Sequence, residues 1–241
     1  MKITVLTLFP EYFIPLIQTS ILARAHQAGL FTFETVDFRN FTKDKHGHVD
    51  DTPYGGGAGM VLKCQPILDA LKTVRTKDST VILLTPQGHP FQQRMARELS
   101  LKSHLIFICG HYEGFDERIR DYVDLQISLG DYVLTGGEPA CAVICDAVLR
   151  LVDGVIKKDS SDEDSFSHGL LEYPQYTRPE IYDGKRVPEV LLSGHHANIE
   201  KWRHQMSIKN TVKHRPDLLK ELEFNEEDQN FVNSLLKKDE I

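Results

Sequence analysis

No stretch of this sequence approaches the roughly 20 consecutive apolar residues that a membrane-spanning helix needs, so no segment reads as one and no membrane partner is expected. The opening residues, Met1-Lys2-Ile3-Thr4-Val5-Leu6-Thr7-Leu8-Phe9-Pro10, are too short and strand-like for a secretory signal and lack a small-residue cleavage site. A cytoplasmic location is the expectation that follows. Cysteine is scarce. Cys64, Cys109, Cys141 and Cys145 show neither CxxC spacing nor the density of a disulfide scaffold, and they read as buried free thiols rather than metal ligands. Positive charge is short as well: 28 Lys and Arg against 35 Asp and Glu leave a net charge of −7. That balance argues against a surface coated for nonspecific nucleic-acid binding, while leaving room for a local basic patch.

What is present is patterned. With 241 residues and a hydrophobic fraction of 41%, the chain can form one large domain or a domain with a smaller appendage. Strand signals over residues 2–9, 31–35, 81–84, 105–109 and 125–129 alternate with helical patterns over 11–29, 66–74, 91–99 and 140–151. The last helix carries Val143, Ala147 and Leu151 along one face and Arg150 near its end. Such alternation predicts an α/β fold, a largely parallel sheet with helices on both faces.

Three successive strands run into loops rich in Gly or Pro. These are Thr85-Pro86-Gln87-Gly88, Gly110-His111-Tyr112-Glu113-Gly114, and Leu129-Gly130-Asp131-Tyr132-Val133-Leu134-Thr135-Gly136-Gly137-Glu138-Pro139. Each alone is an ordinary tight turn. Together they sit at the carboxyl edge, where open α/β sheets bind ligands, and predict a small-molecule pocket. A further glycine loop, Pro53-Tyr54-Gly55-Gly56-Gly57-Ala58-Gly59-Met60, is neither a dinucleotide fingerprint nor a phosphate loop: the spacing is wrong and no Lys-Ser or Lys-Thr follows. It is a close-approach loop or a flexible surface loop.

Composition shifts at Lys157-Lys158-Asp159-Ser160-Ser161-Asp162-Glu163-Asp164-Ser165, nine polar residues that read as an exposed linker and a domain boundary. Beyond it, helical patterns cover 195–213, 216–222 and 226–237. Between His195 and Lys220 six cations (Lys201, Arg203, Lys209, Lys213, Arg215, Lys220) face two acids, Glu200 and Asp217, with Trp202 and histidines interleaved. That composition suits a polyanion, or an ordinary solvated helix face around a core Trp.

Taken together, Tyr54-Gly55-Gly56-Gly57-Ala58-Gly59-Met60, Gly110-His111-Tyr112-Glu113-Gly114-Phe115-Asp116-Glu117-Arg118, Gly130-Asp131-Tyr132-Val133-Leu134-Thr135-Gly136-Gly137-Glu138 and Leu171-Glu172-Tyr173-Pro174-Gln175-Tyr176-Thr177-Arg178-Pro179 resemble the bacterial tRNA (guanine-N1) methyltransferases of the SPOUT class, over essentially the whole chain. The resemblance implies an S-adenosylmethionine-dependent enzyme that methylates N1 of guanosine 37, next to the anticodon of tRNA. It implies a deep trefoil knot in the α/β unit and a homodimer with active sites between subunits. It also implies an activity associated with magnesium, although no compact carboxylate cage for a dedicated metal site is visible. The domains would be residues 1–155 (catalytic), 156–172 (flexible linker) and 173–241 (helical, tRNA-binding).

Carried over by position, the cofactor site would comprise Leu84, Thr85, Pro86, Gly110, Tyr112, Glu113, Gly114, Leu129, Gly130, Asp131, Tyr132, Val133, Leu134, Gly136 and Gly137. Asp164 matches the family's proposed general base and Arg150 its guanine-handling arginine. Gly55, Gly57 and Gly59 match the loop near the target base, and Lys201, Arg203 and Lys209 are candidates for contacting phosphate. There is one departure: Pro139 directly follows Glu138, where the family usually has an apolar residue. Neutral guanine carries a proton on N1, so a base must take it while charge develops toward O6, which a carboxylate and an arginine can jointly meet. Glu163 reads as a solvated neighbour of Asp164. Two other classes remain open on residues alone. A nicotinamide-dependent enzyme would need G-x-G-x-x-G where Phe9-Pro10-Glu11 stands, and a non-catalytic RNA-binding module would transfer no methyl group.

Overall fold

Alternate residues of the central strands point to opposite faces, and in this chain both faces are apolar. The protein is described by a computed structural model covering residues 1–157 and 163–237, in two compact units, Met1–Lys158 and Asp159–Ile241. In the first unit the chain runs through β1 (Lys2–Thr7), a 3₁₀ turn (Pro10–Phe13), α1 (Ile14–Gln18), α2 (Ser20–Gln27) and β2 (Thr32–Asp37). It continues through β3 (Asp50–Asp51), β4 (Val61–Leu62), α3 (Cys64–Val74), β5 (Ser79–Pro90), α4 (Gln93–Ser100) and β6 (His104–Ile108). The 3₁₀ turns Phe38–Phe41 and Glu117–Tyr122, β7 (Leu125–Ser128) and α5 (Glu138–Leu149) complete it. Five strands form a parallel sheet in the order β2-β1-β6-β5-β7, as the alternation predicts.

Ile3, Val5, Ile82, Leu84, Leu105 and Phe107 share one core with residues of α2, α4 and α5. Leu6, Val81, Leu83, Ile106 and Ile108 share the other with Ile67 and Leu71 of α3 and with Ile119. Each fully buried side chain of this size contributes about 1.5–3 kcal/mol. On α5 the buried stripe is Ala140, Cys141, Ile144, Cys145, Val148 and Leu149, whereas Val143 is half exposed. Of the face marked in the sequence, Val143 is exposed, while Ala147 and Leu151 are partly buried against this core. Cys109, Cys141 and Cys145 are buried free thiols, and burial pushes Cys109 and Cys141 upward from the usual thiol range.

Two boundaries differ from the sequence reading. The single helix expected over 11–29 is broken: Pro15 opens α1, Thr19 is extended with its hydroxyl on the Pro15 carbonyl at 2.6 Å, and Ser20 has φ of 58°. A Thr side chain that bonds its own helix end competes with helix continuation. More consequentially, β5 does not end at residue 84. It leaves the β7 register after Leu84, makes an excursion over residues 85–88, and pairs again through His89↔Ile127 and Pro90↔Ser128. Gly88 permits this, since a Cβ there would stand 2.4 Å from the Ile127 backbone nitrogen.

The second unit contains β8 (Ile181–Tyr182) and β9 (Lys185–Arg186), then α6 (Glu189–Leu192), α7 (His196–His214), a 3₁₀ turn (Pro216–Glu221) and α8 (Glu226–Leu236). The β8–β9 hairpin turns at Asp183 and Gly184, both with positive φ, as the favoured two-residue hairpin turn requires. Its core is Ile208, Val212 and Val232, ringed by Leu170, Leu219, Phe231 and Leu235. Part of the polar segment expected as a linker, residues 158–162, lies outside the described residues.

A buried imidazole ties three strands of the sheet together. Thr4 gives its hydroxyl proton to Glu34 at 2.8 Å, so His104 Nε2, 2.9 Å away, must donate to Thr4. Its Nδ1 then accepts from Ser79 at 2.8 Å, and a neutral ring satisfies both partners. Burial, with help from the Lys2 ammonium and against Glu34, lowers the His104 pKa from the ordinary 6.5. The unfolded chain therefore binds more protons than the native one as pH falls through about 6.5, and stability is lost in that direction. Urea unfolding between about pH 5 and 8 should show this acid-side loss, and His104→Gln should flatten it.

Candidate active site

The carboxyl ends of β5, β6 and β7 open onto a cleft of about 390 Å³, a volume typical of small-molecule sites. Three loops wall it. The 85–88 excursion and its approach give Leu84, Thr85 and Pro86; the loop after β6 gives Gly110, Tyr112, Glu113 and Gly114. The loop after β7 gives Leu129, Gly130, Tyr132, Val133, Leu134, Gly136 and Gly137. Of the cofactor positions expected from sequence, only Asp131 is off this wall. It is exposed because the chain folds back around it, with Tyr132 N–H on the Gly130 carbonyl at 2.9 Å. Tyr112 holds φ of 60°, a left-handed conformation uncommon for a non-glycine residue and frequent at ligand sites.

The second and third loops meet backbone to backbone. Gly137 N–H donates to the Gly110 carbonyl at 2.8 Å, and a Cβ on Gly137 would stand 2.8 Å from the Cys109 Cα and the Gly110 nitrogen. The next residue, Glu138, opens α5 and is only 2% exposed. Its carboxylate accepts from Thr7 Oγ1 at 2.6 Å and lies 2.8 Å from His111 Nε2. A buried carboxylate is costly unless hydrogen-bonded, and the positive end of α5 adds to what these two partners provide. Glu138 thereby fastens the end of β1 and the loop after β6 to the start of α5. Pro139 follows in the first helical turn, where a missing N–H costs nothing.

Arg120 secures the cleft from its other side. Its guanidinium bonds Glu117 at 2.9 Å and also reaches Gln87 in the excursion and Gln126 in β7. The glycine loop before β4 joins the same region: Glu113 N–H donates to the Met60 carbonyl at 3.0 Å, and the Glu113 side chain occupies the space a Gly59 side chain would need. Gly55 and Gly57, both at positive φ, have open or nearly open space around them. Arg150 caps the carboxyl end of α5, its N–H on the Asp146 carbonyl at 3.1 Å.

Asp164 belongs to the second unit. Residues 163–172 form a bonded turn there: Ser167 N–H donates to the Asp164 carbonyl at 3.1 Å, and Glu172 N–H to Ser165 Oγ at 2.9 Å. Leu171 N–H reaches Thr211 Oγ1 at 2.9 Å, and Asn210 holds the Glu172 carbonyl at 2.9 Å, so the turn is docked on α7. From Glu163 onward the segment expected as a flexible linker is thus tied down. Glu163 stays about half exposed, with its carboxylate 3.7 Å from the Arg203 guanidinium and accepting from the Tyr173 hydroxyl. Lys201 pairs with Glu227 at 2.8 Å but stays largely exposed.

A profile of the family described as tRNA (Guanine-1)-methyltransferase TrmD matches residues 1–221. The chain belongs to that family. It is 56% identical to a tRNA (guanine-N(1)-)-methyltransferase of Clostridium botulinum strain Kyoto over 99% of this chain and 100% of the relative. Enzymes of the same name from Halalkalibacterium halodurans and Clostridium tetani are each 53% identical. The first match covers 100% of both chains, the second 97% of this chain and 98% of the relative.

Methyltransferase family membership implies S-adenosylmethionine as donor, and the cleft fits it. Leu84, Ile127, Leu129 and Ala140 give apolar wall, the glycines expose backbone groups, and Glu113 adds a carboxylate suited to a cationic group. Among the described residues no group of three or more His, Cys, Asp or Glu side chains is arranged to hold a metal, and no helix is long and apolar enough to cross a membrane. Sequence reasoning did not single out Thr7, His111, Arg120 and Glu138 as site-building residues. Glu138 alone carried a signal, a carboxylate in the first turn of a helix that starts at the loop. Glu138→Gln keeps an acceptor for Thr7 but removes the charge that faces His111, a loss of about 1.5–3 kcal/mol. Titration calorimetry should show S-adenosylmethionine affinity reduced about tenfold or more, with Asp131→Ala close to wild type.

Proposed function

We propose that this protein methylates N1 of guanosine 37 in tRNA, using S-adenosylmethionine. The observation that carries the reading is the one cleft into which three separate loops deliver the expected cofactor positions, in a chain of this family. When bound, the cofactor supplies a methyl group already activated on a sulfonium. The protein's own tasks are then to position guanine, take its N1 proton and stabilise charge at O6. Asp164 accepts the proton. Arg150 donates to O6 as negative charge grows there. The loop carrying Gly55, Gly57 and Gly59 lets the target base come close beside Gly55 and Gly57, where the space is open.

The same reading includes a homodimer with active sites between subunits, a trefoil knot in the α/β unit and a cytoplasmic location. Tyr12, Ile14, Val133 and Val143 are exposed apolar residues on the first unit and support a subunit interface. The excursion and return of β5 beside β7 and the contact of Gly137 with Gly110 support a tightly threaded chain. In the second unit Lys209 contacts phosphate and Lys201 leaves its exposed pair with Glu227 to do the same, while Arg203 lies over Tyr173 and pairs with Glu163.

The reading is tested with tRNA transcripts that have or lack guanosine at position 37: methyl transfer should require it, and equal transfer to both would refute the assignment. Asp164→Asn should leave S-adenosylmethionine binding intact and slow single-turnover transfer by about 10²–10⁴. Replacing Lys201 and Lys209 with Gln should weaken tRNA binding. Each phosphate no longer neutralised should lower the slope of log affinity against log salt by about one unit. An unchanged slope would remove these helices from the interface.

A further inference from the structure

Asp164 lines a cavity of about 260 Å³ within the second unit, together with Glu163, Tyr173, Arg203 and His204. The residue before it makes a compact three-part contact. The Tyr173 hydroxyl donates to Glu163 Oε2. The Arg203 guanidinium stands 3.7 Å from the same carboxylate oxygen and lies over the Tyr173 ring, 4.8 Å from its centre. Burial and the neighbouring Glu163 carboxylate both push the Tyr173 hydroxyl up from its usual range, so it stays a donor. Arg203 belongs to α7, the helix that already holds the far end of the turn through Thr211 and Asn210.

The two sides of Asp164 are held by different means. Downstream, the turn is secured by bonds to its backbone and to Ser165. Upstream, Glu163 is held through its side chain, by the Tyr173 hydroxyl and the Arg203 guanidinium. A carboxylate that must meet a ring nitrogen within hydrogen-bond reach has its rate set by how narrowly its backbone is held.

We propose that Glu163 is a positioning residue for methyl transfer, clamped by Tyr173 and Arg203 so that the Asp164 carboxylate is presented to the target base. The inference rests on Asp164 being the general base, and its test separates the two. Single-turnover methyl transfer is measured with the full-length protein on a transcript carrying guanosine 37, for Glu163→Gln, Tyr173→Phe, Asp164→Asn and the double variant Asp164→Asn with Glu163→Gln. Tyr173→Phe keeps the ring under Arg203 and removes only the hydroxyl.

The expected result is a loss of about tenfold to a hundredfold in rate for Glu163→Gln and Tyr173→Phe, with the half-saturating tRNA concentration and the melting temperature close to wild type. In the Asp164→Asn background, Glu163→Gln should cost nothing further, because the group it positions is already disabled. A wild-type rate for Tyr173→Phe together with Glu163→Gln, while Asp164→Asn is slow, overturns the clamp and leaves the base in place. Losses that multiply in the double variant also overturn it, since Glu163 would then act independently. A wild-type rate for Asp164→Asn overturns both readings at once. If Glu163→Gln fails to fold, Tyr173→Phe alone and combined with Asp164→Asn decides the question by the same comparison.

Discussion

Burial of the central strands on both faces is the constraint on which the rest of the first unit depends. Because β1, β5 and β6 are covered by helices on either side, their side chains are consumed in two cores. Chemistry can then occur only at strand ends, and parallel strands place all their carboxyl ends along one edge. The cleft is a consequence of that geometry, and its walls are loops because nothing else in the sheet is free to face a ligand.

Those loops would be floppy if they were merely exposed, and they are not. Gly137 lies against Gly110 backbone to backbone, Gly88 lies against Ile127, and the buried Glu138 carboxylate binds both the end of β1 and the loop after β6. Glycine permits approach at distances no side chain could accept, and a buried charge with two partners fixes which approach is made. Arg120 adds a third fastening through Gln87 and Gln126. The cleft is thus held by a small polar framework behind its lining residues.

The second unit solves a different problem with little hydrophobic material. Its core is small, and polar contacts carry much of the order: the 163–172 turn is docked on α7 by Thr211 and Asn210, and Lys201 and His204 bridge to α8 through Glu227 and Asp228. A helix whose cations look free in the sequence has several of them engaged by acids brought from elsewhere in the chain. Surface pairs of this kind contribute little stability each, but they decide which basic groups remain available to a polyanion.

The sequence by itself determined the α/β class, the parallel sheet with two covered faces, and the three loops that meet at the cleft, because strand and helix periodicity and glycine punctuation are local signals. It also marked the shift in composition at residue 157. It did not reveal that β5 resumes pairing after residue 88, since the pairing depends on β7, nearly forty residues further on. Nor did it show that the buried stripe of α5 excludes Val143, or that Glu163 has partners at 173 and 203. An acidic residue within a polar run looks the same whether water or a distant arginine will meet it. Only the tertiary structure decided that, because partners far apart in sequence leave no periodic trace along the chain.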